Sequence, residues 1–398
     1  ALRRPAEPPI KAARMDHDEN RSPGAHFPGV LGHTQAQTAI ARALARGQLH
    51  HALVLVGPRG VGKATFARGL GCALLCRERP GLGCGGCPTC PRVLAGNHPD
   101  VDWLLPDGKA GLISVDSARA CHVRQAHAPY EGPAYLVVVD PADALGEAAG
   151  NALLKTIEEP RPGVHFALLT TNLQGVLPTI LSRSLPVRLG RLDDAIVRAI
   201  VDERAASAPA ERRDMAVLLA EGSAGVALEL AADPSLARSV ELVRQAIAAV
   251  RAGPSAIFGG DNHPLWAAWT TATTPDETPE PAADDAPEAA PAAGGKKAKK
   301  PAKKADGEAA ARAAKKDAAT LQRAAIRRMV ELWILHVREQ LRGRPGLPGL
   351  PPVPAPAPGT LVAAITALQR LAARVERMGS VRLMLEQGLL EQSALLSA

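Results

Sequence analysis

The chain has 398 residues, enough for two or three domains with separate cores at about 150 residues per domain. Hydrophobic residues make up 46% of it but aromatic residues only 3%, so alanine and leucine must fill the cores, which favours an α or α/β fold over an all-β one. The net charge of +7 suits a partner that bears phosphates but is weak evidence for nucleic-acid binding, and no apolar run approaches the roughly 18 residues of a membrane span.

The N-terminal segment, residues 1–25, is predicted to be a disordered extension. It lacks the apolar stretch of a secretory signal, and its acidic residues Asp16, Asp18 and Glu19 do not fit a transit peptide. We therefore expect a cytoplasmic protein with no membrane partner.

Residues 26–192 alternate short apolar runs with segments of helical period, a pattern typical of a parallel sheet covered by helices. Three runs are predicted as buried strands: HALVLVG at 51–57, AYLVVVD at 134–140 and VHFALLTTN at 164–172. The stretch GEAAGNALLKTIEEP at 146–160 is predicted as a helix with one apolar stripe that ends at Pro160.

The rest of the chain is predicted to be helical. Residues 193–250 form a small helical domain, and residues 251–398 form a third domain with an insert at 273–318. The insert has an acidic block followed by a lysine block, so we expect disorder, or frayed helix near its end, and a solvated tether rather than a DNA contact. An amphipathic helix at 325–341, a proline-rich loop and two closing helices follow.

A phosphate-binding loop is predicted between the first strand and the next helix. GPRGVGK at 57–63 fits the pattern G-x-x-x-x-G-K, in which backbone N–H groups converge on a phosphate and the lysine supplies a charge. The residues expected to line this degenerate nucleotide site are Gly57, Gly60, Gly62, Lys63, Thr65, Asp140 and Thr171.

Two parts of a working ATPase are absent from this pattern. Ala64 stands where a hydroxyl should bind Mg²⁺, and Thr65 points roughly 100° away along the helix. Asp140 could hold a metal ion, but Pro141 stands at the next position, where many ATPases carry the acid that orients water. These defects argue against hydrolysis, although Asp143 or Glu147 could substitute for the missing acid.

Four of the six cysteines are predicted to bind zinc. Two overlapping C-x-x-C pairs and one more cysteine a short loop away match a closed tetrahedral site. The alternative is a reactive or disulfide-forming cluster, which a reducing compartment disfavours. The predicted ligands, in a module at 76–90, are Cys76, Cys84, Cys87 and Cys90. Cys72 and Cys121 are expected to be small buried residues.

Taken together, these motifs resemble the delta prime family of clamp-loader subunits of bacterial DNA polymerase III, which are AAA+ proteins. The resemblance is carried by GVLGHTQAQTAIARALARGQLHHALVLVGPRGVGK, the cysteine cluster after it, NALLKTIEEP, and LLTTNLQGVLPTILSRS. It implies an AAA+ domain with a zinc module, then a helical lid domain at 193–250 and an all-α collar domain at 251–398.

The resemblance also assigns roles to single residues. Thr171 or Asn172 takes the place of the family's sensor 1 residue, and Ser182 and Arg183 take that of its Ser-Arg-Cys motif, with Ser184 in place of the cysteine. In this family the arginine is a finger that reaches into the ATP site of the neighbouring subunit, where a guanidinium neutralises charge on the transferring phosphate.

The paralogous tau/gamma subunits hydrolyse ATP and carry a lid arginine where this chain has Gly225. The resemblance therefore implies a non-hydrolysing stator subunit of the clamp loader, with structural Zn²⁺ and with ATP or ADP bound, if at all, without turnover. Its implied partners are tau/gamma and delta subunits in a hetero-pentamer and, through the complex, the sliding clamp and primer-template DNA. The alternatives are a tau/gamma-like ATPase with a tolerant metal site and a zinc-dependent nucleic-acid-binding module.

Overall fold

The computed structural model describes residues 26–107, 111–125, 128–258, 263–273, 303–353, 357–375 and 380–396. The chain divides into two compact units, one up to Ala232 and the other from Asp233 onward. The predicted N-terminal extension, residues 1–25, lies outside the described residues. Within the described residues, no helix is both long enough and apolar enough to cross a membrane.

A five-stranded sheet lies at the centre of the first unit, with every neighbouring pair of strands parallel. The strand order is β2-β3-β4-β1-β5. The strands are β1 (Ala52–Val56), β2 (Val101–Leu104), β3 (Tyr135–Val139), β4 (Val164–Thr170) and β5 (Leu185–Arg188). The three strands predicted from apolar runs are β1, β3 and β4, so the prediction of an α/β fold with a parallel sheet is confirmed.

Alternating side chains of the strands point to two separate apolar layers. Leu53 and Leu55 of β1 pack into one layer, while Ala52 and Val54 pack into the other. The helices of this unit are α1 (Thr34–Ala45), α2 (Lys63–Leu75), α3 (Thr89–Leu94), α4 (Val115–Gln125), α5 (Glu147–Glu158), α6 (Pro178–Leu181), α7 (Asp194–Arg204), α8 (Ala210–Ala220) and α9 (Ala224–Ala232). Helix α5 confirms the helix predicted at 146–160.

A buried carboxylate fixes the loop that leads into β3. Asp100 is fully buried, and its two oxygens accept hydrogen bonds from the backbone N–H groups of Tyr130 (2.6 Å), Glu131 (2.9 Å) and Gly132 (2.7 Å). A carboxylate without such donors would be costly to bury. The contact therefore ties the start of β2 to the start of β3.

The second unit consists of helices. They are α10 (Ser235–Ala252), α11 (Pro254–Ile257), α12 (Pro264–Thr273), α13 (Lys303–Leu341), α14 (Pro358–Val375) and α15 (Val381–Leu396). The side chain of Trp333 on α13 is fully buried, and the Arg382 guanidinium lies 4.2 Å from the ring centroid of Trp266. The helix predicted at 325–341 and the two closing helices are present as the end of α13, α14 and α15.

Two predicted boundaries can be placed on the structure. The predicted lid domain ends at residue 250, within helix α10, whereas the two compact units divide after Ala232. Helix α13 begins at Lys303, so the end of the predicted insert at 273–318 is helical, as a frayed helix end allows. Residues 274–302 of the insert lie outside the described residues, and the division into AAA+, lid and collar domains stays a prediction.

Replacing Asp100 by asparagine should destabilise the first unit by about 2–4 kcal/mol. The amide has one acceptor oxygen instead of two, so its NH₂ group must face a backbone N–H group. Thermal unfolding and faster hydrogen exchange at residues 130–132 measure the effect. The Asp116→Asn variant, at an exposed position of α4, is the control and should leave both unchanged. Unaltered hydrogen exchange at residues 130–132 in Asp100→Asn would show that the Asp100 carboxylate does not hold this loop.

Candidate functional site

A cavity of about 490 Å³ lies in the first unit where the loops after β1, β3 and β4 meet. Carboxyl ends of parallel strands share one edge of a sheet, and ligands of such folds bind there. One part of the cavity wall is polar and contains Lys63, Asp140, Asp143, Thr170 and Thr171. Another part is apolar and contains Val30, Leu192, Ile200 and Leu228.

The predicted phosphate-binding loop borders this cavity. It leaves β1 at Val56 and enters α2 at Lys63. Gly60 has φ +75° and Gly62 has φ +102°, both in the left-handed region that favours glycine. The turn therefore depends on glycine at both positions, and its role as a phosphate cradle stays a prediction.

The loop's own carbonyl oxygens bind the lysine. Lys63 Nζ donates to the carbonyl oxygen of Gly57 at 2.7 Å and to that of Pro58 at 2.9 Å. Burial lowers the pKa of Lys63, and the nearby carboxylates of Asp140 and Asp143 partly oppose this shift. The positive charge thus lies between the loop and two acids at the polar wall.

Ala64 and Thr65 both border the cavity. Ala64 offers only a methyl group at the position where an ATPase of this pattern places its Mg²⁺-binding hydroxyl. Asp140 follows β3 directly and also borders the cavity, with Pro141 beside it. The structure thus brings Lys63, Asp140 and Asp143 to one cavity, with the methyl group of Ala64 at the start of α2.

Thr170, the last residue of β4, borders the cavity but is not among the site residues predicted from the sequence. Its hydroxyl lies within hydrogen-bond distance of two acceptors, the Asn172 carbonyl oxygen (2.9 Å) and Asp143 Oδ1 (3.1 Å), and its side chain is buried. Thr171, one of the two predicted sensor 1 residues, borders the cavity as well. Asn172, the other, instead accepts a hydrogen bond from the Gln174 N–H group and caps the short turn after β4. The place of Thr170 near the carboxyl end of the predicted strand was the signal in the sequence that could have identified it.

Helix α9 begins directly on the phosphate-binding loop. The Gly225 N–H group donates to the Gly60 carbonyl oxygen at 2.8 Å, and the Ser223 hydroxyl donates to the carbonyl of Arg59. The Arg59 guanidinium forms an ion pair of 2.9 Å with Glu229. A Cβ atom at Gly225 would lie only 2.9 Å from the Gly60 Cα atom. An arginine at position 225 therefore does not fit while helix and loop remain in contact.

Arg183 lies away from these groups, just after α6, and is not among the described residues that border the cavity. Its side chain is 40% exposed. Its Nε atom lies 2.8 Å from Glu158 Oε1, and Nη1 donates to the Thr179 carbonyl (3.1 Å) and to the Ser182 hydroxyl (3.0 Å). The structure therefore brings Ser182 and Arg183 together at the surface, apart from this chain's own cradle.

The four predicted zinc ligands do come together. The sulfur atoms of Cys76, Cys84, Cys87 and Cys90 all lie within 4.8 Å of one another. Cys76 and Cys87 are 3.8 Å apart and Cys84 and Cys90 are 4.0 Å apart, close to the separation of about 3.8 Å expected for tetrahedral Zn–S bonds of 2.3 Å. The donor set fits a zinc ion, which this group could hold.

Backbone N–H groups donate to sulfur atoms in this cluster, while burial raises the pKa of the Cys84 and Cys90 thiols. The Cys87 N–H group donates to Cys84 Sγ at 3.2 Å, and the Arg79 N–H group donates to Cys76 Sγ at 3.3 Å. Burial raises the pKa of the Cys87 thiol, but hydrogen bonds from the Cys90 and Thr89 backbone and from neighbouring thiols outweigh it and lower this pKa to about 7. Cys72 and Cys121 are buried outside the cluster, as predicted.

The first unit has relatives among known proteins. Residues 32–193 match the model of the family described as DNA polymerase III, delta subunit. The tau subunit of DNA polymerase III from Escherichia coli (strain K12) is 32% identical over 232 residues, 56% of this chain and 35% of that protein. The delta' subunit from Pseudomonas aeruginosa is 35% identical over 185 residues, 45% of this chain and 55% of that protein. This part of the chain is similar to subunits of DNA polymerase III.

The matches agree with the resemblance seen in the sequence, but they include both delta' and tau subunits and do not separate the two kinds. The chain spans about a third of the tau subunit and about half of the delta' subunit that it matches. Among solved structures, a gamma subunit-related protein from Thermotoga maritima matches at 15% identity and a TM-score of 0.41, over 90% of this chain and 98% of its own.

We predict that the purified protein contains about one equivalent of zinc and loses it when Cys84 is replaced by serine, because a closed site needs all four thiolates. Elemental analysis of the two proteins measures this. The matched control is Cys121→Ala, which removes a cysteine outside the cluster and should retain the metal. Equal zinc in wild type and Cys84→Ser would contradict the site.

Replacing Gly225 by alanine should destabilise the first unit by about 1–3 kcal/mol, because the new methyl group meets the Gly60 backbone. Gly359→Ala is a matched control: Gly359 is likewise the second residue of its helix, α14, and a Cβ atom there meets nothing within 4 Å. Thermal unfolding and hydrogen exchange of the phosphate-binding loop measure both variants. A neutral Gly225→Ala would mean that the helix does not rest on the loop in solution.

Proposed function

We propose that this chain is a delta prime-type subunit of the DNA polymerase III clamp loader that does not hydrolyse ATP and lends Arg183 to the ATP site of a neighbouring subunit. The single observation that carries the proposal is the contact of Gly225 with Gly60, because it occupies the place of the lid arginine of the ATP-hydrolysing subunits.

The composition of the cavity supports the absence of hydrolysis. Ala64 offers no metal ligand at the start of α2, and Pro141 offers no acid beside Asp140. The ammonium group of Lys63 is bound by carbonyl oxygens of its own loop. A nucleotide held here would find a phosphate cradle without the groups that place Mg²⁺ and the attacking water.

The position of Arg183 supports a role in trans. It is half exposed and does not border its own chain's cavity. A guanidinium supplied by a neighbour stabilises charge on the transferring phosphate and is worth about 10³–10⁵ in rate where it has been measured in other NTPases. These features fit a subunit that does not hydrolyse ATP itself and supplies Arg183 to the neighbouring subunit that does.

The proposal assigns roles to the other parts of the chain. The cysteine cluster holds structural zinc, residues 193–250 form a lid, and the helices of residues 251–398 join the collar of a hetero-pentamer with tau/gamma and delta subunits. Through that complex the chain acts in the cytoplasm on the sliding clamp and primer-template DNA.

A tau/gamma-like ATPase is the second candidate. It is favoured by the cavity itself, where Lys63, Thr65, Asp140 and Asp143 all border the same space, and by the 32% identity to the Escherichia coli tau subunit. In that case Thr65 or Asp143 would have to replace the missing metal and water ligands. Turnover by the isolated chain distinguishes the two candidates.

We expect the isolated chain to show no steady-state ATP hydrolysis above background, since the groups that place metal and water are missing. Phosphate release by the purified protein measures this, with Lys63→Ala as its control. Hydrolysis that Lys63→Ala abolishes would refute the stator role and establish the second candidate.

In a mixture of this chain with the tau/gamma-type ATPase of the same organism, replacing Arg183 by alanine should lower partner-dependent ATP hydrolysis by about 10³-fold or more. Arg161→Ala is the matched control, because Arg161 is an exposed arginine of the same unit, and it should leave the rate unchanged. Equal rates of ATP hydrolysis with Arg183→Ala and Arg161→Ala would show that Arg183 is not an arginine finger.

A further inference from the structure

Arg183 is held by three contacts, which involve two of the three nitrogen atoms of its guanidinium. The Nε atom pairs with Glu158, and Nη1 donates to the Thr179 carbonyl and to the Ser182 hydroxyl. Both hydrogen atoms of Nη1 thus have acceptors within the chain, and Nε has a carboxylate. This part of the guanidinium is anchored to α5 and α6.

The third nitrogen atom of the guanidinium, Nη2, has no such contact among the described residues. In the part of the chain that the structure describes, neither a hydrogen bond nor an ion pair involves Nη2 of Arg183. The Arg183 and Glu158 side chains are 40% and 42% exposed, so solvent reaches the pair. The guanidinium is therefore oriented with two donors left over, which is the arrangement needed to bind the oxygen of a phosphate from outside.

A carboxylate at the position of Glu158 is energetically unfavourable unless it is paired with Arg183. Glu158 is the last residue of α5, where the helix dipole is negative and disfavours a carboxylate. Glu159 follows directly, so two acids meet at this helix end. Only Glu158 pairs with Arg183. The ion pair compensates an acid that local helix energetics would disfavour.

We propose that Glu158 is a positioning residue for Arg183: it orders the guanidinium before the neighbouring subunit docks and leaves Nη2 to a phosphate oxygen. This rests on the proposed arginine finger. An exposed ion pair is weak, so it orders the side chain without immobilising it against the small movement that docking requires. Orientation before binding lowers the entropy lost when the complex reaches the transition state.

The test uses the full-length chain mixed with the tau/gamma-type ATPase of the same organism. Glu158→Ala should lower the kcat of partner-dependent ATP hydrolysis by about two- to fivefold, the size of an exposed ion pair. The KM for ATP and the elution volume of the complex should not change. Glu158→Gln keeps an acceptor oxygen without the charge and should retain part of the lost rate, while Glu159→Ala, the matched control, should behave as wild type.

A double variant makes the outcome specific. If Glu158 acts through Arg183, adding Glu158→Ala to Arg183→Ala should cause no further loss. An unchanged or raised kcat in Glu158→Ala, with Arg183→Ala still strongly impaired, would overturn the positioning role and leave the arginine finger intact. A fully active Arg183→Ala would overturn the arginine finger and, with it, this inference.

Discussion

The close contact between the Gly60 and Gly225 backbones fixes helix α9 on the phosphate-binding loop, and the arrangement of the site depends on it. Two glycine backbones approach so closely that a single Cβ atom on either would meet the other segment within 3 Å. The contact joins helix α9 to the phosphate-binding loop by a 2.8 Å hydrogen bond, and the pairing of Arg59 with Glu229 adds to it. While this contact is kept, position 225 has no room for an arginine, and the proposed absence of ATP hydrolysis rests on this constraint.

The two charged groups most relevant to phosphate lie in different environments. Lys63 is half buried, has a lowered pKa and is bound by loop carbonyls at the cavity. Arg183 is half exposed, is paired with Glu158 through Nε, and is not among the described residues that line that cavity. A lysine facing inward and an arginine facing outward are what a subunit needs if it contributes to a neighbour's reaction and not to its own. The four-cysteine cluster at the end of α2 is separate from both charged groups and could hold a zinc ion.

Much of the sheet could be predicted because its central strands are continuous apolar runs: β1, β3 and β4 were found, as was the apolar stripe of α5. The edge strands β2 and β5 were missed, since Asp102 interrupts the one and Pro186 and exposed residues the other. The cysteine spacing predicted its cluster because short loops restrict where sulfur atoms can lie. The glycine contact was beyond prediction, because the two backbones are far apart in the chain. The pairing of Glu158 with Arg183 depends in the same way on how α5 and α6 pack.

The most direct test of the account is the distance from the Arg183 guanidinium to the triphosphate of the adjoining subunit, measured in a structure of the assembled complex with a non-hydrolysable ATP analogue. The account predicts a hydrogen bond of about 2.7–2.9 Å to a phosphate oxygen. An Arg183 side chain remote from every bound nucleotide, with a Mg²⁺-bound triphosphate instead held by this chain's own Lys63, would contradict it.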